Sequence, residues 1–156
     1  ASESLARAYM KQDYDVCDLL IQEGVSLTMK HLPVLWGLKG SLEYVRKTIQ
    51  HLKDTGNWDS RCDNASESLA KAYSKQEFHI CDLLIQEGVS LAMKHLLYVL
   101  SGSSKNVKIF DTVKETIHHL KDTDNWDPRC DNASESLARA YMKQDYDVCD
   151  LLIQEG

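Results

Sequence analysis

The sequence has no long apolar run; its hydrophobic stretches are a few residues each, which excludes a membrane-spanning helix. It has no stripe of Lys and Arg interleaved with aromatics, and its formal net charge is −6, so nucleic acid is not an expected partner. No His-x-x-x-His, Cys-x-x-Cys, phosphate-binding loop or Ser-His-Asp grouping occurs. Catalytic and metal residues are therefore not assigned, and no cofactor is expected. His118 and His119 are adjacent, hence about 100° apart on a helix and not a ligand pair. His31 and His95 recur with the surrounding sequence and gain no partner by doing so. Neither a signal peptide nor an initiator Met precedes Ala1, so the chain reads as an excerpt of a longer protein. The cytoplasm is the favoured compartment, with the exterior left open.

The five cysteines do not form a disulfide framework. Cys17, Cys81 and Cys149 recur in one element, and Cys62 and Cys130 recur in another. An odd count at a repeating spacing is what copying produces, so buried or reduced thiols are the expectation, with a bridge of the Cys62–Cys81 type as the alternative.

What is present is repetition. Residues 133–156 are identical to residues 1–24, and Ala65–Gly88 keeps 18 of those 24 residues. The element carries Leu5, Ala8 and Tyr9 at i, i+3, i+4, breaks at Gln12-Asp13, and resumes with Tyr14, Cys17, Leu20 and Ile21 at the same spacing. That pattern predicts two short amphipathic helices. Asp13 is placed to cap the second, and Gly24 to end it in the left-handed conformation. Asn64 or Ser66, followed by Glu67, is the expected cap of the third copy's first helix, matched by Asn132 and Glu135.

Between the copies lies a divergent helix pair. Leu32 to Leu38 reads as a short apolar helix with Pro33 in its first turn, and Lys39-Gly40-Ser41 as a turn in which Ser41 caps the second helix of the pair. Leu42, Val45, Ile49 and Leu52 mark one face of that second helix, and Phe110, Val113, Ile117 and Leu120 repeat it despite four extra residues near Ser101–Lys105. That insertion belongs in a loop. Gly24, Gly56, Gly88, Asp124 and Gly156 are separated by 32, 32, 36 and 32 residues, giving a unit of about 32 residues within a super-repeat of 132. Such periods mean stacked helix pairs.

Leu5-x-x-Ala8-Tyr9, then Tyr14-x-Val16-Cys17-x-Leu19-Leu20-x-x-x-Gly24, resembles the ankyrin repeat, whose pattern runs Thr-Pro-Leu-His-x-Ala-Ala, a Gly-His turn, then Val-Val-x-Leu-Leu-x-x-Gly. Pro33 and Gly40-Ser41-Leu42-Glu43-Tyr44-Val45 resemble the same family. Glu3-Ser4 stands where Thr-Pro is expected, and Gln12-Asp13 where Gly-His is expected. The resemblance implies an all-α solenoid of divergent ankyrin-like repeats, with units at about 1–31, 32–63, 64–95, 96–131 and 132–156.

The stacking core should comprise Leu5, Cys17, Leu20, Leu69, Cys81, Leu84, Leu137, Cys149 and Leu152. The polar connectors 54–64 and 122–132 carry Trp58, Arg61, Trp126 and Arg129, candidates for contact with a partner. Their clustered Asp and Asn lack the spacing, central Gly and bidentate Glu of a calcium loop, so turn and capping chemistry is expected instead. Asn64-Ala65-Ser66 and Asn132-Ala133-Ser134 match a glycosylation acceptor, a pattern that helix capping explains equally well. The expected function is a non-enzymatic structural array that stacks on protein partners, itself included, with filaments as one product of continued stacking. The alternative is a recognition module that grips another protein.

Overall fold

The computed structural model describes residues 2–35, 42–100 and 108–156. These residues are helical, with no strand among them: α1 (Ser2–Met10), α2 (Tyr14–Gln22), a 3-10 helix over Met29–Leu35, α3 (Leu42–Asp54), α4 (Asp63–Ser74), α5 (Phe78–Gln86), α6 (Met93–Val99), α7 (Lys108–Asp122), α8 (Asp131–Met142) and α9 (Tyr146–Gln154). They pack as consecutive pairs: α1 on α2, the 3-10 helix on α3, α4 on α5, α6 on α7 and α8 on α9. The first helix of each pair packs on the first helix of the next, from α1 through the 3-10 helix, α4 and α6 to α8. Second helices meet at α3–α5 and at α7–α9.

Local sequence explains the helix ends. Asp13 Oδ1 accepts a hydrogen bond from the Val16 amide at 3.4 Å, the expected cap of α2. The turns that split the 24-residue element place Gln12, Gln76 and Gln144 at φ of 61°, 58° and 57°. This left-handed region costs a non-glycine residue on the order of 1 kcal/mol, yet it folds the second helix straight back on the first. After α2, Gly24 takes φ +97° and the Val25 amide reaches back to the Leu20 carbonyl at 3.0 Å, which closes the helix end.

Three helix starts differ from the sequence reading. The helix expected at Leu32 begins at Met29, so Pro33 lies inside it and not in its first turn. Proline removes one amide donor and clashes with the preceding α turn, and this copy is 3-10; α6, with Leu97 at the matching position, is α-helical. α4 and α8 begin at Asp63 and Asp131, ahead of Asn64, Ser66 and Asn132, and their N-cap residues Cys62 and Cys130 make no side-chain cap bond. Ser68 and Ser136 hydroxyls instead donate to the Asn64 and Asn132 carbonyls at 2.7 Å. Trp36 to Ser41 and the insertion at Ser101–Lys105 lie outside the described residues.

One core runs the length of the stack. Val45, Ile49 and Leu52 on α3, and Val113, Ile117 and Leu120 on α7, are buried in it. Leu5, Cys17, Leu69, Cys81, Leu84, Cys149 and Leu152 are buried as expected for a stacking core. Leu20 and Leu137 are a correction: both are only half-buried. Among the described residues no helix pair packs ahead of Leu20 as one does ahead of Leu84 and Leu152, and none packs after Leu137 as one does after Leu5 and Leu69.

Candidate functional site: the joints between helix pairs

Identical residues find different surroundings along the stack. Tyr9 is 1% exposed and its copy Tyr141 is 49% exposed, whereas Val16 is 39% exposed and its copy Val148 is 0% exposed. A following pair covers the tyrosine and a preceding pair covers the valine. The uncovered residues thus define two unlike faces: Val16 and Leu19 on α2, and Tyr141, Tyr146 and Ile153 on α8 and α9.

The joint behind the first copy is aromatic. Tyr44 on α3 stacks on Tyr14 with ring centroids 3.9 Å apart and meets Tyr9 edge-on at 6.0 Å. Its hydroxyl donates to Asp18 Oδ1 at 3.3 Å, and Lys47 Nζ lies 3.5 Å from the other carboxylate oxygen. Burial pushes the Tyr9 phenol up to about 12, so it stays protonated at neutral pH. A cavity of about 270 Å³ remains among Tyr9, Asp18, Tyr44, Thr48 and His51.

The corresponding joint between α5 and α7 keeps Tyr73, Asp82, Thr116 and His119 but has Thr112 where Tyr44 stood and Glu115 where Lys47 stood. Its cavity is about 300 Å³, and the Asp82 and Glu115 carboxylates both line it. A different hollow of about 270 Å³ lies between the connector residues Trp126 and Pro128 and the helices α8 and α9, where Ser134, Leu137, Leu152 and Ile153 line it.

His31 and His95 do gain partners, contrary to the sequence reading. His31 Nδ1 accepts from the Thr28 amide at 3.0 Å, and His95 Nδ1 accepts from the Ala92 amide at 2.8 Å. With Nδ1 an acceptor, the His95 proton sits on Nε2, 3.2 Å from the Ser66 carbonyl oxygen of the preceding pair. Burial lowers the His95 pKa to about 4, so the ring is neutral and acts as a hydrogen-bonded pin between α4 and α6. At His31 a sequence signal exists, a threonine just ahead of the helix and three residues before the histidine; at His95 the matching residue is Ala92 and the signal is absent.

The connectors cap themselves. Asp59 Oδ1 accepts from the Arg61 amide and Asp127 Oδ1 from the Arg129 amide, each at 3.0 Å. Asn57 and Asn125 side-chain amides donate to the Leu27 and Leu91 carbonyls, tying each connector to the pair before it. Trp58 and Trp126 are half-buried against the core, and Arg61 and Arg129 are exposed. Lys53 pairs with Glu87, and Lys121 with Glu155, across the α3–α5 and α7–α9 contacts.

No family model, curated protein or solved structure matches this chain. All five cysteines are free thiols. Burial pushes Cys17 up to about 11 and raises Cys81 further, the reverse of an activated nucleophile. Ser66, the third residue of one glycosylation pattern, has its hydroxyl 3.2 Å from His95 Nε2. No group of three or more His, Cys, Asp or Glu is gathered for a metal among the described residues. No helix among them is long and apolar enough to cross a membrane.

Proposed function

We propose that this chain is a non-enzymatic structural array, an ankyrin-like α-solenoid that works by stacking helix pairs on one another and on protein partners. The observation that carries the reading is the dependence of burial on neighbours. A single 24-residue element, present in three copies, hides its tyrosine face where a pair comes after it and its valine face where a pair comes before it. Stability built from nearest-neighbour contacts is the working principle of solenoids. The two joints also share Tyr9 with Tyr73, Asp18 with Asp82, Thr48 with Thr116 and His51 with His119, a repetition that suits an array and not a single converging catalytic constellation.

Two local features support the ankyrin likeness. The left-handed backbone of Gln12, Gln76 and Gln144 is the conformation for which the glycine of the family's Gly-His turn is suited. Thr28-Met29-Lys30-His31 carries the Thr and His of the family's opening motif at the same separation, bonded to one another. Light scattering and electron microscopy of the purified chain over a range of concentrations test the reading. Particles that lengthen as concentration rises are expected; a uniform particle of 17.8 kDa throughout would remove it.

A recognition module is favoured by one observation only, the α5–α7 joint. Its Asp82 and Glu115 make it acidic where its counterpart has Asp18 bound by Tyr44 and Lys47. Titration with a short cationic peptide separates the two readings: binding that is lost in Glu115→Lys would favour recognition.

A further inference from the structure

Among the described residues the first helices of the pairs touch at every joint, whereas the second helices meet only at α3–α5 and α7–α9. α2 and α3 therefore stand apart, as do α5 and α7, and each of these wide joints holds a cavity. In the first, Tyr44 occupies the gap: its ring lies on Tyr14, and its hydroxyl and the Lys47 ammonium both reach Asp18. In the second, the same positions carry Thr112 and Glu115. With a threonine in place of the ring, the floor of the joint is uncovered. Phe78 and Cys81 line the α5–α7 cavity, while their counterparts Tyr14 and Cys17 take no part in lining the α2–α3 one.

An apolar wall and an excess of negative charge thus share one space. Phe78, Tyr73, Ile85 and Leu91 supply the wall, and Asp82 and Glu115 supply two carboxylates where the other joint sets one carboxylate against an ammonium. Burial raises the Tyr73 phenol, and the Asp82 and Glu115 charges raise it further, so both carboxylates act on the inner wall of the cavity.

We propose that the α5–α7 cavity binds a small aromatic amine. Its ring lies over Phe78 as the Tyr44 ring lies over Tyr14, and its ammonium supplies to Asp82 and Glu115 the charge that Lys47 supplies to Asp18. At about 300 Å³ the space is at the low end of small-molecule pockets, which suits one ring with a short amine arm and not a helix. A metal ion fits less well, because no three His, Cys, Asp or Glu side chains are gathered to hold one among the described residues. The proposal rests on the recognition reading of this one joint, and the array reading stands without it.

Calorimetric titration of the full chain with phenethylamine, butylamine and phenylacetate tests the site, since butylamine lacks the ring and phenylacetate reverses the charge. Phenethylamine should bind about tenfold more tightly than either, because it alone makes both kinds of contact. Thr112→Tyr restores the ring of the sister joint and Glu115→Lys restores its ammonium, and each should weaken phenethylamine by about tenfold or more. The converse double change, Tyr44→Thr with Lys47→Glu, should create a further site at the α2–α3 joint. Circular dichroism checks that the variants keep the parent fold, and if Thr112→Tyr does not, Glu115→Lys carries the comparison. Butylamine binding as tightly as phenethylamine, or phenethylamine binding unchanged in the folded variants, would overturn the proposal. No heat with either amine would overturn it as well; a short cationic peptide that still bound would leave the recognition reading in place, and one that did not would remove both.

Discussion

Leu19, Leu83 and Leu151 occupy one position of one helix, and replacing each by Ala should have unequal consequences. Leu83 is 5% exposed beneath α3, Leu151 is 9% exposed beneath α7, and Leu19 is 54% exposed with no described helix packed before it. Truncating a buried Leu to Ala costs about 2–5 kcal/mol, since a cavity adds to the lost transfer energy. Full burial of a leucine side chain is worth roughly 1.5–3 kcal/mol, so Leu19, about half of which is still in water, should cost about 1 kcal/mol. Urea denaturation of the three variants, compared at equal slope, reads these differences directly. The terminal position of α9 provides a control. If coverage governs the cost, Leu151→Ala resembles Leu83→Ala; if Leu151→Ala instead resembles Leu19→Ala, remoteness from the centre governs it and coverage does not. Equal costs at all three positions would rule out coverage as well.

The buried neutral His95 makes stability fall with acid. Its folded pKa of about 4 lies below the ordinary value of 6.5, so below 6.5 the unfolded chain takes up the proton first and stability is lost until about pH 4. The shift corresponds to about 3 kcal/mol, and urea midpoints at pH 7 and 4 should draw closer together in His95→Gln; an unchanged gap would contradict the pin. Calcium added to the chain should give no calorimetric heat at micromolar concentration, because Asp59 and Asp127 are engaged as turn caps; heat that disappears in Asp127→Ala would overturn this. Alkylation and mass spectrometry at pH 8 should label Cys62 and Cys130 before Cys17 and Cys81, whose thiols are buried and hard to ionise; early labelling of Cys81 would mean that the core opens readily.

Helices and their buried faces are legible in the sequence because periodicity is a local signal. Val45-Ile49-Leu52 and Val113-Ile117-Leu120 can be read from spacing alone, and Asp13 and Gly24 from their chemistry. The exceptions are residues whose state depends on something remote in sequence. Leu20 and Leu137 look the same as Leu84 and Leu69 along the chain, and differ in how many described helix pairs pack on them. His95 is bonded across 29 residues to Ser66, a contact that no local pattern contains. Pro33 looks like the opening of a helix that actually begins at Met29, since proline is a stronger start signal than the weakly periodic turn before it. The joints are hidden for a related reason: the repeat register pairs Tyr44 with Thr112 but does not reveal that they line cavities with Asp18 and Asp82, which lie 26 and 30 residues away.

Native-state amide exchange across the copies of the repeated element tests most directly whether neighbours, and not local sequence, hold this fold. Peptides that extend past the shared residues distinguish the copies. Slower exchange is expected in α5, which packs closely on both α4 and α3, than in α2, which packs closely on α1 alone among the described helices, although the two helices share Cys-Asp-Leu-Leu-Ile-Gln. Protection of equal strength in α2 and α5 would show the opposite, because helix stability would then be a property of the 24 residues themselves.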